Sequence, residues 1–233
     1  MINKYEGIIV FSKKIKDNDL YIRILNHNDK LVSGIVYGGN SSKKKQIFQN
    51  GYFIEFSIIQ KNINTVSSIN AEITKPFISY LIEDKYKSYS LMSIISLINL
   101  SIVEGQKLNG LYTSVKDILT YIINNKNWIK IYCTWLFNLL EIIGYQIDYI
   151  GNNEYKYFNL RKQEFENTLT NNSVVFPHDI FLRDGKISLN KIEAIFLIFE
   201  SIYSKNHLDN INYTMPDNFI NFKNSILNKL KKD

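Results

Sequence analysis

The sequence predicts an α+β protein in which an N-terminal, five-stranded OB-type β-barrel is followed by an α-helical domain that carries an irregular insertion. Three observations lead to this fold class. Residues 1–75 contain short runs that alternate apolar and polar side chains, as strands do. After Pro76, apolar residues recur at the spacing of helices. Most of the net positive charge lies in the first third of the chain, which is typical of a polyanion-binding module attached to a nearly neutral body.

Five strands are predicted in the first 75 residues. In the second strand, the apolar residues at positions 20, 22 and 24 share one face, which leaves Tyr21 and Arg23 on the other face. The five short, closely spaced strands favour a closed OB-type barrel, with an SH3-like barrel as the alternative. Their predicted spans are residues 5–11, 20–25, 31–37, 52–60 and 65–73.

The rest of the chain predicts helices around one irregular segment. Pro76 suits a first helical turn, and Asn190 with Glu193 resembles a capping box. The predicted helices cover residues 76–87, 90–104, 110–124, 127–144 and 191–203, with a last helix after Pro216. Polar, Asn-rich residues with little periodicity predict a loop-and-hairpin insertion. The predicted domain boundaries are 1–75 for the OB-fold domain, 76–145 and 188–233 for the helical domain, and 146–187 for the insertion.

The placement of the charge indicates a nucleic-acid-binding surface on the barrel. Residues 1–75 carry ten Lys and one Arg against six carboxylates, which accounts for +5 of the net charge of +6. We expect one group of lysines in the turn after the first strand and another in the loop after the third, at the barrel rim. The alternative is that this loop is merely solvated and that Tyr21 is a half-buried strand residue. The predicted binding residues are Lys13, Lys14, Lys16, Tyr21, Arg23, Tyr37, Lys43, Lys44 and Lys45.

No catalytic or metal-binding motif is found in the sequence. G-x-G-x-x-G, the Walker A loop and G-x-S-x-G are all missing. Cys133 is the only cysteine, so no disulfide and no cysteine-based zinc site can form within one chain. We expect Cys133 to be a structural core thiol, and we expect no enzyme activity, no cofactor and no metal. A hydrolase or nuclease is the alternative, and it would need a nucleophile or metal-binding carboxylates.

Several segments, taken in order along the whole chain, resemble the RecO family of bacterial DNA repair proteins. The first three are EGIIVFSKK (6–14), DNDLYIRIL (17–25) and KLVSGIVYGG (30–39), the last of which ends in a glycine-rich basic loop. Later segments continue the resemblance: NGYFIEF (50–56), WLFNLLEIIGYQID (135–148) and Met215-Pro216 before the last helix. The double glycine and FPHDIFL (176–182) resemble the alphaproteobacterial branch.

The resemblance implies a recombination mediator that binds single- and double-stranded DNA and anneals complementary strands. It further implies that the protein engages the C-terminal tail of the single-stranded-DNA-binding protein SSB and works with RecR to load RecA. The tail is expected on the helical body, and we select Lys116 and Lys130 beside apolar helices as its cationic contacts. The family's insertion resembles a zinc finger with four cysteines in many members. Because this chain has none there, we expect a metal-free insertion held by packing alone.

An OB-fold RNA-binding module, associated with tRNA or the ribosome, is the main alternative function, because a positively charged OB barrel can bind either DNA or RNA. The N-terminal residues are charged within the first six positions and predict no signal peptide. No uncharged stretch reaches the length of a membrane span. We therefore expect a cytoplasmic, nucleoid-associated protein that has no membrane partner.

Overall fold

The computed structural model describes residues 3–16, 18–59, 66–76, 81, 83–182 and 184–232. The chain divides into two compact units, Met1–Ile123 and Asn124–Asp233. The first unit contains a five-stranded barrel and two helices, and the second contains three helices and a small sheet. The last strand of the barrel ends at Lys75, and the first unit continues to Ile123.

The barrel closes in the strand order β1-β2-β3-β5-β4. Its strands are β1 (Lys4–Lys16), β2 (Asp19–Asn26), β3 (Leu31–Val36), β4 (Phe53–Ile59) and β5 (Ser68–Lys75). Neighbouring strands are antiparallel except β3 and β5, which meet in parallel through Ile35 and Ser68. Because β5 lies between β3 and β4, the strands do not follow a simple up-and-down order, as expected for a Greek-key OB barrel. The predicted OB-type fold is confirmed.

The barrel core is formed by alternate residues of the strands. Its buried side chains are those of Ile9, Leu20, Ile22, Ile24, Val36, Phe48, Tyr52, Ile54, Phe56 and Ile69. Gly34 pairs with Ile22 where the barrel closes. A Cβ at position 34 would lie 2.7 Å from the Ser67 carbonyl oxygen and 2.8 Å from the Ile69 side chain. This close approach of backbone to backbone requires glycine.

Two helices complete the first unit, α1 (Lys85–Ser101) and α2 (Leu111–Asn124). The Asp84 carboxylate caps α1 by accepting hydrogen bonds from the N–H groups of Tyr86 (3.0 Å) and Lys87 (3.2 Å). The prediction of a helix over residues 76–87 is wrong, because the described residues before Lys85 are not helical and the cap fixes the start there. Positions 77–80 and 82 lie outside the described residues.

The second unit contains α3 (Trp128–Ile142), α4 (Leu189–Ile202) and α5 (Asp217–Leu230). Buried aromatic side chains pack between these helices: Trp128, Tyr132, Phe196, Phe199, Phe219 and Phe222. The predicted capping box is wrong. Helix α4 begins at Leu189 after the N-cap residue Ser188, so Asn190 lies inside the first turn. Among the described residues, no helix is long and apolar enough to cross a membrane.

The insertion forms a three-stranded sheet in the order β7-β6-β8, with β6 at Tyr157–Asn159, β7 at Glu164–Glu166 and β8 at Ser173–Val175. The Glu166 carboxylate accepts hydrogen bonds from Asn159 Nδ2 (3.0 Å), Ser173 Oγ (2.8 Å) and Lys162 Nζ (3.1 Å). These hydrogen bonds, those from Asn159 foremost, hold the pKa of Glu166 below its usual value. The expectation that packing alone holds the insertion is therefore wrong, since a carboxylate also bonds all three strands.

Aromatic packing provides the rest of the insertion's core. Phe158 and Phe165 from paired strands contact Phe176 after β8. Phe176 in turn contacts Phe137 of α3 and Phe181. The small sheet is thereby attached to the helices of its own unit, and aromatic contacts of this kind stabilise beyond their buried area.

Candidate nucleic-acid interface

The two predicted lysine groups lie on exposed segments at one end of the barrel. All six lysines are exposed: Lys13, Lys14, Lys16, Lys43, Lys44 and Lys45. The first three belong to β1 rather than to a turn, so that part of the prediction is wrong. The reason is that β1 continues to pair with β2 as far as Lys16, which lies opposite Asp19.

Strand pairing separates the β1 lysines onto two faces. Lys13 lies opposite Tyr21, and Lys14 lies opposite Leu20, a residue of the barrel core. Because successive residues of a strand alternate between faces, Lys13 shares the outer face with Tyr21, whereas Lys14 continues the inner face beyond the core. Tyr21 is half-buried and makes an edge contact with Phe11. The side chain of Tyr21 thus lies on the outer face of the barrel, as predicted, but it is partly buried there.

Two hydrogen bonds join the loop after β3 to the start of β2. The Gly38 N–H donates to the Asp19 carboxylate (2.8 Å), and the Asn40 N–H donates to the Asn18 carbonyl oxygen (2.7 Å). Gly38 has a φ of +64°, a conformation that glycine adopts readily. Within the loop, the Lys44 and Lys45 N–H groups donate to the Ser41 carbonyl oxygen. The basic loop therefore has a defined position beside the β1–β2 hairpin.

One cavity joins the two lysine groups. Lys14 of β1 and Lys45 of the loop both line a cavity of about 500 Å³ at this end of the barrel. Its remaining lining is Ser12, Leu20, Asn40, Phe48, Gln49, Asn50 and Met92. Sequence reasoning missed the three amides and Phe48, because only the fold of the loop brings them beside β1.

The ion pairs formed by described residues lie outside this region. Within the part of the chain that the structure describes, the ion pairs are Lys4–Glu55, Lys162–Glu166, Lys191–Asp179 and Lys223–Glu200. None of these pairs includes a lysine of the two groups. Exposed, unpaired ammonium groups attract a polyanion without first giving up an internal partner. Tyr37, at the start of the loop, is 62% exposed and presents an aromatic ring nearby in sequence.

Arg23 occupies a different environment from the lysines. Its guanidinium donates to the carbonyl oxygens of Asn99 (3.0 Å) and Ile102 (3.1 Å) and to Asn99 Oδ1 (2.5 Å). These acceptors lie at the C-terminal end of α1, where carbonyl groups lack helical partners. The arginine predicted for DNA binding thus holds a helix against the barrel.

Asp29 makes the corresponding contact at the start of α2. Its carboxylate accepts hydrogen bonds from the N–H groups of Gly110 and Tyr112, both at 2.9 Å. The residue lies in the turn between β2 and β3 with a φ of +61°. A cation at the end of one helix and an anion at the start of the next both complement the helix dipoles. Sequence reasoning identified this turn but missed its capping role.

The two lysines selected for the SSB tail lie in different units. Lys116 is half-buried on α2, and Lys130 is half-buried on α3. The Lys130 ammonium donates to the carbonyl oxygens of Leu182 (2.5 Å) and Gly185 (3.0 Å). It therefore also fastens the segment before α4, a role that the sequence did not predict.

No group of three or more His, Cys, Asp or Glu side chains suited to hold a metal occurs among the described residues. Cys133 is fully buried on α3, and burial raises the pKa of its thiol to about 12. It is a core residue, as expected from the sequence.

Comparison with known proteins gives several relatives in Rickettsia. The chain is 30% identical over 142 residues to the DNA repair protein RecO of Rickettsia canadensis, a match covering 61% of this chain and 58% of that protein. It is 31% identical over 144 residues to the DNA repair protein RecO of Rickettsia akari, a match covering 61% of this chain and 59% of that protein. An uncharacterized protein of Rickettsia prowazekii is 33% identical over 92 residues, which cover 40% of this chain and 79% of that protein. No family model matches the chain.

The fold and site define an OB-barrel protein with a lysine-rich barrel end and an α-helical second unit. The matches to the RecO proteins span somewhat less than three fifths of those relatives' length. Over that length the chain is similar to the DNA repair protein RecO of several Rickettsia species.

Proposed function

We propose that the protein acts in DNA repair as a non-catalytic recombination mediator. It binds single- and double-stranded DNA, anneals complementary strands and, together with RecR, helps to load RecA onto SSB-coated DNA. The observation that carries the proposal is the convergence of two exposed lysine groups at one end of an OB barrel, in a chain similar to RecO.

The physical basis of the proposal is phosphate neutralisation. Lysines that contact phosphates release condensed counterions, which gives sequence-independent affinity that falls steeply with salt. Such binding suits a protein that must act on any damaged sequence and bring two strands together. An exposed aromatic residue such as Tyr37 can add stacking on unpaired bases.

The proposal is tested by strand annealing. Labelled complementary strands coated with SSB are mixed with the wild-type protein or with a Lys43→Ala/Lys44→Ala/Lys45→Ala variant, and pairing is followed by fluorescence. We expect the variant to anneal at least several-fold more slowly. The matched control replaces three exposed lysines of the second unit, Lys126, Lys156 and Lys231, and removes the same charge. Equal loss in both variants, or no annealing by the wild type, contradicts the proposal.

A parallel titration separates DNA from RNA. Single-stranded DNA and RNA of the same sequence are compared in the same salt. Tighter binding of DNA supports the repair role, whereas a clear preference for RNA favours the tRNA- or ribosome-associated alternative.

For the SSB tail we propose two candidate cationic contacts, Lys116 on α2 and Lys130 on α3, each considered within its own unit, since an acidic peptide with an aromatic side chain needs a cation beside apolar helix surface. Replacing both by Glu should weaken binding of an SSB-tail peptide by about tenfold or more, through lost attraction and added repulsion. The single Lys116→Glu variant is the control for disturbance of Leu182 and Gly185, whose carbonyl oxygens accept hydrogen bonds from Lys130. Tail binding that survives the double replacement would assign the peptide to another surface.

A further inference from the structure

The cavity at the end of the barrel contains more than the two lysines. Its apolar lining consists of Leu20, Phe48 and Met92, and the first two of these side chains are almost fully buried. Three amide side chains, those of Asn40, Gln49 and Asn50, line the same cavity. Its volume of about 500 Å³ is in the range of small-ligand sites, which combine an apolar lining with a few polar groups.

One of these amides has an unsatisfied atom. Asn50 Oδ1 is buried and accepts no hydrogen bond from the described residues. Buried polar atoms in folded proteins are nearly always paired, because an unpaired one loses its bonds to water without replacement. Because Asn50 also lines the cavity, a rotation of its side chain toward the cavity would present this acceptor to a ligand that brings an N–H donor.

The lining specifies the ligand's chemistry. A flat apolar surface would contact the apolar lining of Leu20, Phe48 and Met92. Polar edge atoms would bond the amides, and a negative group would be drawn to Lys14 and Lys45. An unpaired nucleobase with its adjoining phosphate has all three properties. Asn and Gln side chains recognise base edges through paired hydrogen bonds, and unpaired bases are read on edges that a duplex conceals.

We propose that this cavity captures one unpaired nucleobase of a single strand and so makes the barrel discriminate single-stranded from duplex nucleic acid. The inference rests on the proposed function and adds a subsite to it. The exposed lysines bind any phosphate backbone. The cavity accepts only a base that is not engaged in a pair, because a paired base cannot leave its stack without losing stacking and pairing energy.

The experiment uses Asn50→Ala in the full chain, with Asn70→Ala on an exposed position of β5 as the matched control. Affinity is measured by fluorescence anisotropy for a single strand and for a duplex of the same sequence. We expect Asn50→Ala to weaken single-strand binding about tenfold, within the range of a lost base contact, and to change duplex binding less than twofold. The melting temperature should not fall, since Asn50 Oδ1 has no partner to lose. An equal loss on both substrates, or none on the single strand, overturns the inference.

A second substrate tests the base itself. An oligonucleotide whose nucleotides are abasic retains every phosphate. The ratio of wild-type to Asn50→Ala affinity should be about ten on the normal strand and about one on the abasic strand, as in a double-mutant cycle. The same ratio on both strands would mean that Asn50 does not meet a base. Suppose that replacing Lys43, Lys44 and Lys45 weakens DNA binding, whereas the ratio of wild-type to Asn50→Ala affinity is one on both strands. The base-binding subsite is then wrong, and the proposed function is unaffected. If the wild type binds no nucleic acid, both fail.

Discussion

The Arg23 guanidinium binds the amide oxygen of Asn99 at 2.5 Å, which joins the second strand of the barrel to the last turn of α1. The same guanidinium also donates to the backbone carbonyl of Ile102, the C-cap residue of that helix. Three carbonyl-type acceptors are thus satisfied by one fork of donors. Such a geometry is specific to arginine, because a lysine ammonium is a point charge without a planar fork.

Replacing Arg23 should therefore cost stability. We expect Arg23→Ala to lower the free energy of unfolding by about 2–3 kcal/mol, since helix-end carbonyls lose charged donors. Arg23→Lys should lie between wild type and Ala. Urea denaturation measures both, and DNA affinity is then compared at a temperature where each variant is folded. If Arg23→Ala lowers the DNA affinity but leaves the free energy of unfolding unchanged, Arg23 contacts DNA, as the sequence predicted, and does not mainly hold α1.

Asp29 should act as a remote cap of α2. Asp29→Gly keeps the positive φ but removes both acceptors, and we expect a loss of about 1–2 kcal/mol in the free energy of unfolding. Asp29→Asn retains one oxygen and should lose less. Thermal and urea unfolding compare the two variants. Equal stability of Asp29→Gly and wild type would show that the capping bonds contribute nothing.

The insertion should lose stability in acid. The pKa of Glu166 is lowered in the folded protein, so its contribution is fully present above the ordinary carboxyl pKa near 4.5 and is lost as pH falls through the lower folded value. Amide hydrogen exchange of residues 157–175 at neutral pH and at about pH 3.5 measures this opening, after correction for the intrinsic pH dependence of exchange. In Glu166→Gln the acid sensitivity of this segment should be smaller.

A chelator provides the matched test for metal. If the insertion folds without zinc, excess EDTA leaves both the melting temperature and the protection of residues 157–175 unchanged. Stoichiometric zinc in the purified protein, or a drop in melting temperature with EDTA, would contradict a fold held by Glu166 and the aromatic side chains.

Cys133 should report global unfolding. Because burial raises its thiol pKa to about 12, little thiolate exists at pH 8 and reagent cannot reach the sulfur. A disulfide reagent should modify no thiol in the native protein over minutes and one thiol per chain in guanidinium chloride. Rapid native modification would mean that α3 opens locally.

The sequence predicts the barrel well because the alternation of apolar and polar residues within each strand is a local pattern. Alternating residues such as Leu20, Ile22 and Ile24 determine which face of β2 enters the core, and the outward position of Arg23 follows from them. What covers that outward face cannot be derived locally, since Asn99 lies 76 residues away. The start of α1 differs from the predicted one for another reason: Pro76 suits a helix start, but Asp84 provides the cap.

The candidate site was predicted only in part. The placement of the lysines along the sequence predicts the two groups. It places Lys14 in a turn, whereas the structure has it in β1, because the extension of β1 depends on pairing with β2. The cavity depends on a loop whose position is set by the contact of Gly38 with Asp19. No spacing in the sequence indicates that Asn40, Gln49 and Asn50 line one cavity with Lys14, because their approach is produced by the tertiary fold.

The most direct test of the lysine-rich barrel end is the salt dependence of single-strand binding by the Lys43→Ala/Lys44→Ala/Lys45→Ala variant. If these side chains contact phosphates, the slope of log affinity against log salt should become shallower by up to about 2, since each phosphate contact on a single strand contributes roughly 0.7. The melting temperature should remain unchanged, because all three side chains are exposed. An affinity at low salt equal to that of the wild type, with an unchanged slope, would contradict DNA binding by this surface.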